Sequence, residues 1–374
     1  MKKRYAVSDL VEGYYFTSDA YLDSENIFVP EGVPIRARDI ENLKRWDISH
    51  VYSEGTLTAP KTEAPLDETD EQNKKLFQDV DAYSAYKKSI MDFSLFLASL
   101  QEKPEKHAVD DLSEKILTLA QTQEITLVSA IISANIEHDQ NAQSAVNTAI
   151  FSFLIGKVMA LPNYRLKTLI TGALLHDIGM QKIPEAIVKK NGNLTPAELQ
   201  QIKIHPLLSY QLVTRTLGYP DEVGVIVLQH HERWDGEGYP RKLKGAEIDI
   251  LARIVSVADA FEAMISEKPY RNSMIGYQAM KHLMSDNGRR FDPDVLKAFL
   301  QSMGVYPVGS LVLLNNSAIA RVVENHAQAP LRPKIRLLVD ATGTVFQEHE
   351  GSMIDLLKEK ALFIVRAISP QELK

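Results

Sequence analysis

Four histidines and two aspartates of the kind that bind metals interrupt the apolar segments of residues 176–259. They are His176, Asp177, His205, His230, His231 and Asp259. A buried imidazole or carboxylate is costly unless it is paired or bound to a metal. Mixed imidazole and carboxylate ligands suit divalent transition metals. The sequence therefore predicts a site for two divalent metal ions.

The bulk composition is that of a globular protein with an acidic balance. The chain has 374 residues, of which 45% are hydrophobic and 24% charged, and its net charge is −7. This length allows two or three domains, and the charge argues against a partner that is DNA or RNA. The chain has no cysteine, which is compatible with the cytoplasm. No apolar run reaches the roughly 18 residues of a membrane span, so we expect none.

The first 72 residues predict a small module and a linker. Residues 1–55 form an α+β module, in which strands at Ile27–Val29 and Ile48–Tyr52 flank a helix at Ala37–Trp46. Residues 56–72 are polar and acidic and carry two prolines, so they are interpreted as a linker.

Residues 73–139 predict a helical stem or connector. An apolar stripe runs along residues 73–100, and a second helical pattern covers Asp111–Ile136. The stripe has two equal readings, which are a helix packed on its own domain and a stem that pairs two subunits. The stripe residues are Leu76, Val80, Tyr83, Ile90, Phe93, Leu97 and Leu100.

The remaining chain predicts a helical domain and a β-rich extension. Helical periodicity and turn signals alternate over residues 140–303. The character then changes over residues 304–374. Strands are predicted there at Ser310–Asn315, Ile319–Val323, Ile335–Val339 and Leu362–Ile368.

Six segments between residues 140 and 303 carry a resemblance to a known family. They are LLHDIGMQKIP, IKIHP, LQHHERWDGEGYP, RIVSVADAFEAM, KPYR and NGRRFDP. In order and spacing the chain resembles the HD-GYP family, a branch of the HD metal-dependent phosphohydrolases. A lone His-Asp pair is weak evidence, whereas the whole set is specific.

The resemblance implies a fold and an activity. The fold is mainly α, a helical HD-type bundle around a metal centre, here with the small N-terminal and C-terminal additions. The implied reaction is hydrolysis of cyclic di-GMP, a bacterial second messenger, to pGpG or GMP through a metal-bridging hydroxide. The implied cofactors are two divalent metal ions, iron or manganese. A GGDEF-type cyclase domain is an implied partner, and a homodimer follows from the stem reading.

The resemblance also assigns site residues. Asp177 would bridge the metals, and His176 and Asp259 would complete one metal site, with His176 and Asp177 as the catalytic pair. His205, His230 and His231 would hold the other metal. The substrate-binding candidates are Lys268, Arg271, Gly238, Tyr239 and Pro240.

Other readings of the loop and substrate residues stay open at this point. Lys268 and Arg271 also fit solvated surface charges, and the Gly-Tyr-Pro loop also fits a structural turn. Asp235 fits equally a partner that orients a histidine ligand and a plain loop residue.

Three positions depart from the family pattern. Ser144 stands where the family has a metal-binding histidine, and Gln140 stands where members with three metals have a glutamate. Met180 replaces a lysine that follows the HDIG motif in many members. Neither serine nor glutamine is a good ligand for a transition metal. The alternative function is therefore a catalytically degenerate domain that binds cyclic di-GMP or a protein without hydrolysis. Hydrolysis of another cyclic dinucleotide is a third hypothesis, because metals contact the phosphate and not the base.

Overall fold

A computed structural model describes most of the chain. The described residues are 3–11, 13–22, 27–29, 35, 39–40, 43–44, 48–58, 80–100, 102, 104–133, 139–190, 192–266, 276–347 and 350–368. The chain divides into two compact units, Met1–Glu71 and Gln72–Lys374.

The N-terminal unit contains two small antiparallel sheets. Its strands are β1 (Lys3–Ala6), β2 (Tyr15–Phe16), β3 (Ala20–Tyr21), β4 (Ile27–Val29), β5 (His50–Ser53) and β6 (Leu57–Thr58). The first sheet has the order β1-β5-β3-β4, and β2 pairs with β6. Val51 and Ser53 alternate inward along β5, and Phe16 and Leu43 lie in the same small core.

Three expectations for this unit are refined. The strand expected at Ile48–Tyr52 lies at His50–Ser53. Leu57–Thr58, expected at the start of the linker, forms a strand because it pairs with Tyr15–Phe16. Of the helix expected at Ala37–Trp46, residues 39–40 and 43–44 are helical and the others lie outside the described residues.

The second unit is mostly helical, as expected. Its described helices are α1 (Val80–Ser99), α2 (Lys106–Thr122), α3 (Glu124–Ser133), α4 (Gln140–Val158), α5 (Asn163–Leu175), α6 (Glu185–Val188), α7 (Pro196–Ile202), α8 (His205–Gln211), α9 (Asp221–Gln229), α10 (Ile250–Ile265), α11 (Gly276–Ser285) and α12 (Pro293–Met303). None of these helices is both long and apolar enough to cross a membrane.

Helix α4 lies at the centre of this unit. It is buried almost all round from Ala145 to Gly156, which explains why its sequence shows little polar face. Phe151 on α4 meets Phe261 on α10 and Phe299 on α12 edge to face, with ring centroids 5.2 and 6.3 Å apart. This packing fixes the positions of α4 and α10, which carry Ser144 and Asp259.

The apolar stripe of α1 packs within its own unit. Tyr83, Ile90, Phe93 and Leu97 are buried in the same core as α4. This favours the first of the two readings of the stripe. Leu76 lies outside the described residues.

The helical pattern expected over Asp111–Ile136 is confirmed for the described residues, where it forms two helices with a break at Gln123. Gln123 has a non-helical φ of −129°. Thr118 and Thr122 each donate a hydrogen bond to the carbonyl four residues earlier, a contact that tends to bend helices. Residues 134–138 lie outside the described residues.

The C-terminal extension is a five-stranded antiparallel sheet. Its strands are β7 (Leu311–Leu314), β8 (Ile319–Glu324), β9 (Lys334–Val339), β10 (Met353–Asp355) and β11 (Ile364–Ile368), in the order β10-β9-β8-β7-β11. The four expected strands are confirmed, and β10 is an additional short one. Tyr306 stacks on Tyr277 of α11, with ring centroids 4.9 Å apart, so the sheet adjoins the helices.

Candidate metal centre

Apolar helices carry three histidines into the interior at their ends. His176 follows the last residue of α5 and His230 follows the last residue of α9. His205 opens α8, with Pro206 in the first turn as the sequence indicated. The three residues are buried, with 2%, 0% and 2% of their surface exposed. His231 directly follows His230, so the two adjacent imidazoles lie at the end of one helix.

The same backbone contact orients all three imidazoles. Nδ1 of each ring lies 2.7–2.8 Å from the carbonyl oxygen three residues earlier, in Ala173, Ile202 and Val227 respectively. A carbonyl only accepts, so each Nδ1 donates, and in the neutral ring Nε2 is the nitrogen with a lone pair. This is the tautomer that binds a metal through Nε2.

Asp177 and three histidines form one group of candidate ligands. Ligand atoms of Asp177, His205, His230 and His231 all lie within 4.8 Å of one another. Oδ1 of Asp177 lies 3.0 Å from Nε2 of His205 and 3.5 Å from Nε2 of His230. The two Nε2 atoms are 3.3 Å apart. Since both nitrogens are acceptors in this tautomer, they converge as the ligands of one cation do.

His176 faces the other oxygen of Asp177. Its Nε2 lies 3.5 Å from Oδ2 of Asp177 and 3.7 Å from Oδ1 of Asp259. This Nε2 is buried and makes no hydrogen bond to any described residue. A buried polar atom without a partner requires an explanation, and a cation between it and the two carboxylates supplies one.

Burial and mutual contacts shift the pKa values of the groups at the site. Burial lowers the pKa of His176, but the carboxylates of Asp177 and Asp259 raise it more, to about 9. Burial raises the pKa of Asp259, but His176 lowers it more, to about 2. Burial lowers the pKa of His230 and His231, so both rings are neutral near pH 7, as metal ligands must be.

The Gly-Tyr-Pro loop lies directly against the histidines. The ring of Tyr239 is 4.9 Å from that of His231, centroid to centroid, with a tilt of 33°. Glu232, which is buried, accepts hydrogen bonds from the backbone N–H of Arg241 and Leu243 at 2.6 and 3.1 Å. A Cβ on Gly238 would lie 2.3 Å from the backbone nitrogen of Arg233, so only glycine fits there. Tyr239 therefore lies beside a proposed ligand, and its role in substrate binding stays a prediction.

Asp235 does not orient a histidine, so the first reading of this residue was wrong. Its carboxylate binds the Arg233 guanidinium at 3.0 and 2.6 Å and accepts the N–H of Glu237 at 3.0 Å. These contacts are local, within two residues, and close the loop on itself. Lys268 and Arg271 lie outside the described residues, so their role stays a prediction.

The three departures have distinct surroundings. Ser144 donates a hydrogen bond of 2.5 Å to Oε2 of Glu262, a buried carboxylate one helical turn after Asp259. Gln140 is exposed at the first turn of α4, and Met180 is half-buried in the turn that follows Asp177. The sequence reasoning did not single out Glu262. Its position three residues after Asp259, on the same helix face, was the available signal.

Family models match two parts of the chain. Residues 126–295 match the HD domain, and residues 311–374 match a KOW domain associated with the HD domain. Together with the fold and the histidine–aspartate cluster, these matches define the class of the helical unit: residues 126–295 are an HD domain. The resemblance to the HD-GYP branch is confirmed. Curated relatives are named cyclic di-GMP phosphodiesterases, and a solved structure of similar fold is an HDG"Y"P protein.

Two curated relatives are named cyclic di-GMP phosphodiesterases. The protein from Pseudomonas aeruginosa is 29% identical over 63% of this chain and 56% of its own length. The protein from Borreliella burgdorferi is 32% identical over 62% of this chain and 60% of its own length. The chain thus spans somewhat under two thirds of these relatives.

The fold is similar to that of a solved HDG"Y"P protein from Bdellovibrio bacteriovorus. The similarity covers 80% of this chain and 98% of that chain, with a TM-score of 0.50 and 18% identity. At 18% identity, this similarity is evidence for a shared fold.

Proposed function

We propose that the protein is a metal-dependent phosphodiesterase that hydrolyses cyclic di-GMP to pGpG or GMP. One observation carries the proposal. The Nε2 atoms of His176, His205 and His230 are buried and are oriented by backbone carbonyls toward the carboxylates of Asp177 and Asp259. The names of the curated relatives support this substrate class.

The residues fit two divalent metal ions, which we propose to be iron or manganese. Asp177 would contribute one oxygen to each ion, because Oδ2 faces His176 and Oδ1 faces His205 and His230. His176 and Asp259 would complete the first site, and His205, His230 and His231 the second. Metals bound there would supply hydroxide near neutral pH and offset charge on the phosphoryl oxygens.

The remaining residues have proposed roles in binding and orientation. The Nδ1–carbonyl bonds hold each ring in one orientation, so little rearrangement accompanies loading. Gly238, Tyr239 and Pro240 form one wall beside His231, where Tyr239 offers a ring face to a substrate base. Lys268 and Arg271 are proposed to bind substrate phosphate.

The direct test uses purified protein loaded anaerobically with Fe(II) or, separately, with Mn(II). We expect cyclic di-GMP to be converted to pGpG or GMP, as followed by chromatography. Asp177→Asn should abolish turnover and reduce metal content, because it removes the charge shared between the two sites. Lys182→Met, on an exposed residue of the adjacent turn, is the matched control. Full turnover by Asp177→Asn would refute the proposed site.

A second candidate function is a binding domain without hydrolysis. The observation that favours it is the hydrogen bond from Ser144 to Glu262, because this bond engages the side chain at the position where the family has a histidine ligand. Restoring the ligand with Ser144→His in a silent wild type should then produce turnover. An unchanged rate after full metal loading would mean that Ser144 is not the cause of the silence.

Partners and location are further parts of the proposal. A GGDEF-type cyclase domain is the proposed protein partner. A homodimer stays a prediction, which the packing of the α1 stripe within its own unit does not support. The cytoplasm is the proposed location. Sedimentation of the full chain tests the dimer, and co-purification with a cyclase domain tests the partner.

A further inference from the structure

A lysine that the sequence reasoning did not single out lies at the Gly-Tyr-Pro loop. Nζ of Lys203 is 5.5 Å from the ring centroid of Tyr239, over its face. Lys203 is half-buried at the end of α7, two residues before His205. Among the described residues, no carboxylate lies within ion-pair distance of it. A half-buried cation held beside an aromatic ring is available for an anionic ligand.

An arginine lies on a different segment that is tied to the same loop. The backbone carbonyls of Arg290 and Arg289 accept hydrogen bonds from the N–H groups of Trp234 and Asp235, at 3.0 and 2.8 Å, which ties this segment to the loop. The guanidinium of Arg290 lies over Phe291, 4.9 Å from the ring centroid. Arg290 has no ion pair with a described residue, whereas Arg289 pairs with Asp286.

The chemistry of a cyclic dinucleotide requires such groups. The molecule carries two phosphodiesters, and the metal centre can engage only the one being cleaved. The second phosphate still carries a full negative charge and has to be held in a chain whose net charge is −7. Met180 supplies no cation where many family members have lysine.

The turn that contains Met180 packs on the helix start that follows Lys203. Gly179 donates a backbone hydrogen bond of 2.9 Å to Oγ of Ser209 on α8. A Cβ on Gly179 would lie 2.3 Å from the carbonyl oxygen of His205. The Ile178–Lys182 turn and the start of α8 are therefore in direct contact, and Lys203 stands just before that start.

We infer that Lys203, which lies over the ring of Tyr239, and Arg290, which lies on the segment tied to the same loop, bind the phosphate of the cyclic dinucleotide that is not being cleaved. This inference rests on the proposed function. In this inference, Lys203 supplies the positive charge that a lysine supplies in many family members at the position of Met180. Both residues act in substrate binding and have no role in holding metal.

The test compares two substrates on metal-loaded full-length protein. Lys203→Met and Arg290→Met are each expected to raise KM for cyclic di-GMP about tenfold or more, the usual effect of losing a charge-assisted contact, with kcat little changed. Hydrolysis of bis(p-nitrophenyl) phosphate, which has only one phosphate, should be unchanged. Lys203→Arg should retain most of the affinity.

Matched controls remove a neighbouring charge of the same kind. Lys182→Met controls for Lys203, and Arg289→Met controls for Arg290, since Arg289 is exposed and paired with Asp286. Neither control should change either substrate's kinetics. Metal content by elemental analysis and the unfolding temperature verify that every variant is folded and loaded.

The outcomes separate this inference from the proposed function. If the wild type cleaves cyclic di-GMP and Lys203→Met matches its control, the inference is wrong and the function stands. If the wild type binds cyclic di-GMP without cleaving it, the same variants are compared by Kd, and an unchanged Kd overturns the inference. If the wild type neither cleaves nor binds cyclic di-GMP, the proposed function and this inference are both wrong. A parallel loss on bis(p-nitrophenyl) phosphate would also refute a role limited to the second phosphate.

Discussion

At the scale of single residues, the tautomer of three histidines is set by backbone carbonyls. Ala173, Ile202 and Val227 each accept from Nδ1 of the histidine three residues later. This i−3 contact needs only a histidine at a helix end, where the preceding carbonyls lack helical partners. The ligand orientation is therefore built in before any metal arrives.

Metal loading should release a proton from His176. In the metal-free protein its pKa is about 9, above the ordinary value of 6.5. The raised pKa contributes stability that is fully present below pH 6.5 and is lost as the pH rises through about 9. Between those values a metal has to displace the Nε2 proton. Calorimetry of Mn(II) binding at pH 7.5, in buffers of different ionisation enthalpy, should show close to one proton released. His176→Ala should remove that release, and equal heats in all buffers for the wild type would contradict the assignment.

At the scale of elements, contacts between neighbouring segments hold the ligand positions. The turn after Asp177 packs on α8 through Gly179, whose missing side chain allows the backbone of His205 to approach. Helix α1 reaches the centre of the unit through Tyr86, which donates a hydrogen bond of 2.5 Å to Asn147. Asn147 in turn donates to Glu262 at 3.3 Å.

Gly179→Ala should separate the turn from α8. The added Cβ would lie 2.3 Å from the His205 carbonyl oxygen and 2.6 Å from the Ser209 nitrogen, and backbone atoms cannot rotate away. We expect a loss of about 1–3 kcal/mol in the free energy of unfolding, together with a lower metal content. Urea unfolding and elemental analysis measure both. Gln200→Ala, an exposed change on α7, is the control, and wild-type stability in Gly179→Ala would show that the contact is dispensable.

Tyr86→Phe should destabilise the unit without altering the metal ligands. The change leaves the buried side-chain amide oxygen of Asn147 without its hydrogen-bond donor, at a cost of about 1–3 kcal/mol. Urea unfolding of the metal-free protein measures the loss. Tyr164→Phe removes a hydroxyl from a residue that is 69% exposed and should have no effect. Equal stability of the two variants would mean that the Asn147 carbonyl finds another partner.

The sequence predicted the metal centre better than it predicted the surrounding network. Residues such as His176 and Asp177 stand out because charged groups rarely occur in apolar helices. The bond from Ser144 to Glu262 joins residues 118 positions apart, and Lys203 meets Tyr239 only after two segments pack. Residue spacing along the chain does not encode such contacts. The C-terminal strands were predictable from their alternation, whereas the break at Gln123 depended on local side-chain bonds.

At the scale of the whole molecule, the two units have separate cores. The N-terminal core contains Val7, Phe16 and Val51, and the helical core shares no residue with it. Each unit therefore buries apolar side chains in a core of its own.

A chain that begins at Gln72 should fold and bind metal as the full chain does. None of the proposed ligands lies before residue 176, and the division between the units falls between Glu71 and Gln72. We expect unchanged metal content and an unchanged unfolding transition for residues 72–374, measured by elemental analysis and scanning calorimetry. A truncated chain that is unfolded or metal-free would show that the first unit supports the second.

The ends of two helices at the proposed metal centre affect how metal and substrate would bind there. Helices α5 and α9 both terminate at a proposed ligand, His176 and His230. The carbonyl end of a helix carries a partial negative charge, which adds to the carboxylates of Asp177 and Asp259. Cations bound there would offset this negative charge. If the proposed function holds, metal loading would therefore favour binding of the anionic substrate as well as its cleavage, so metal supply would affect recognition as well as rate.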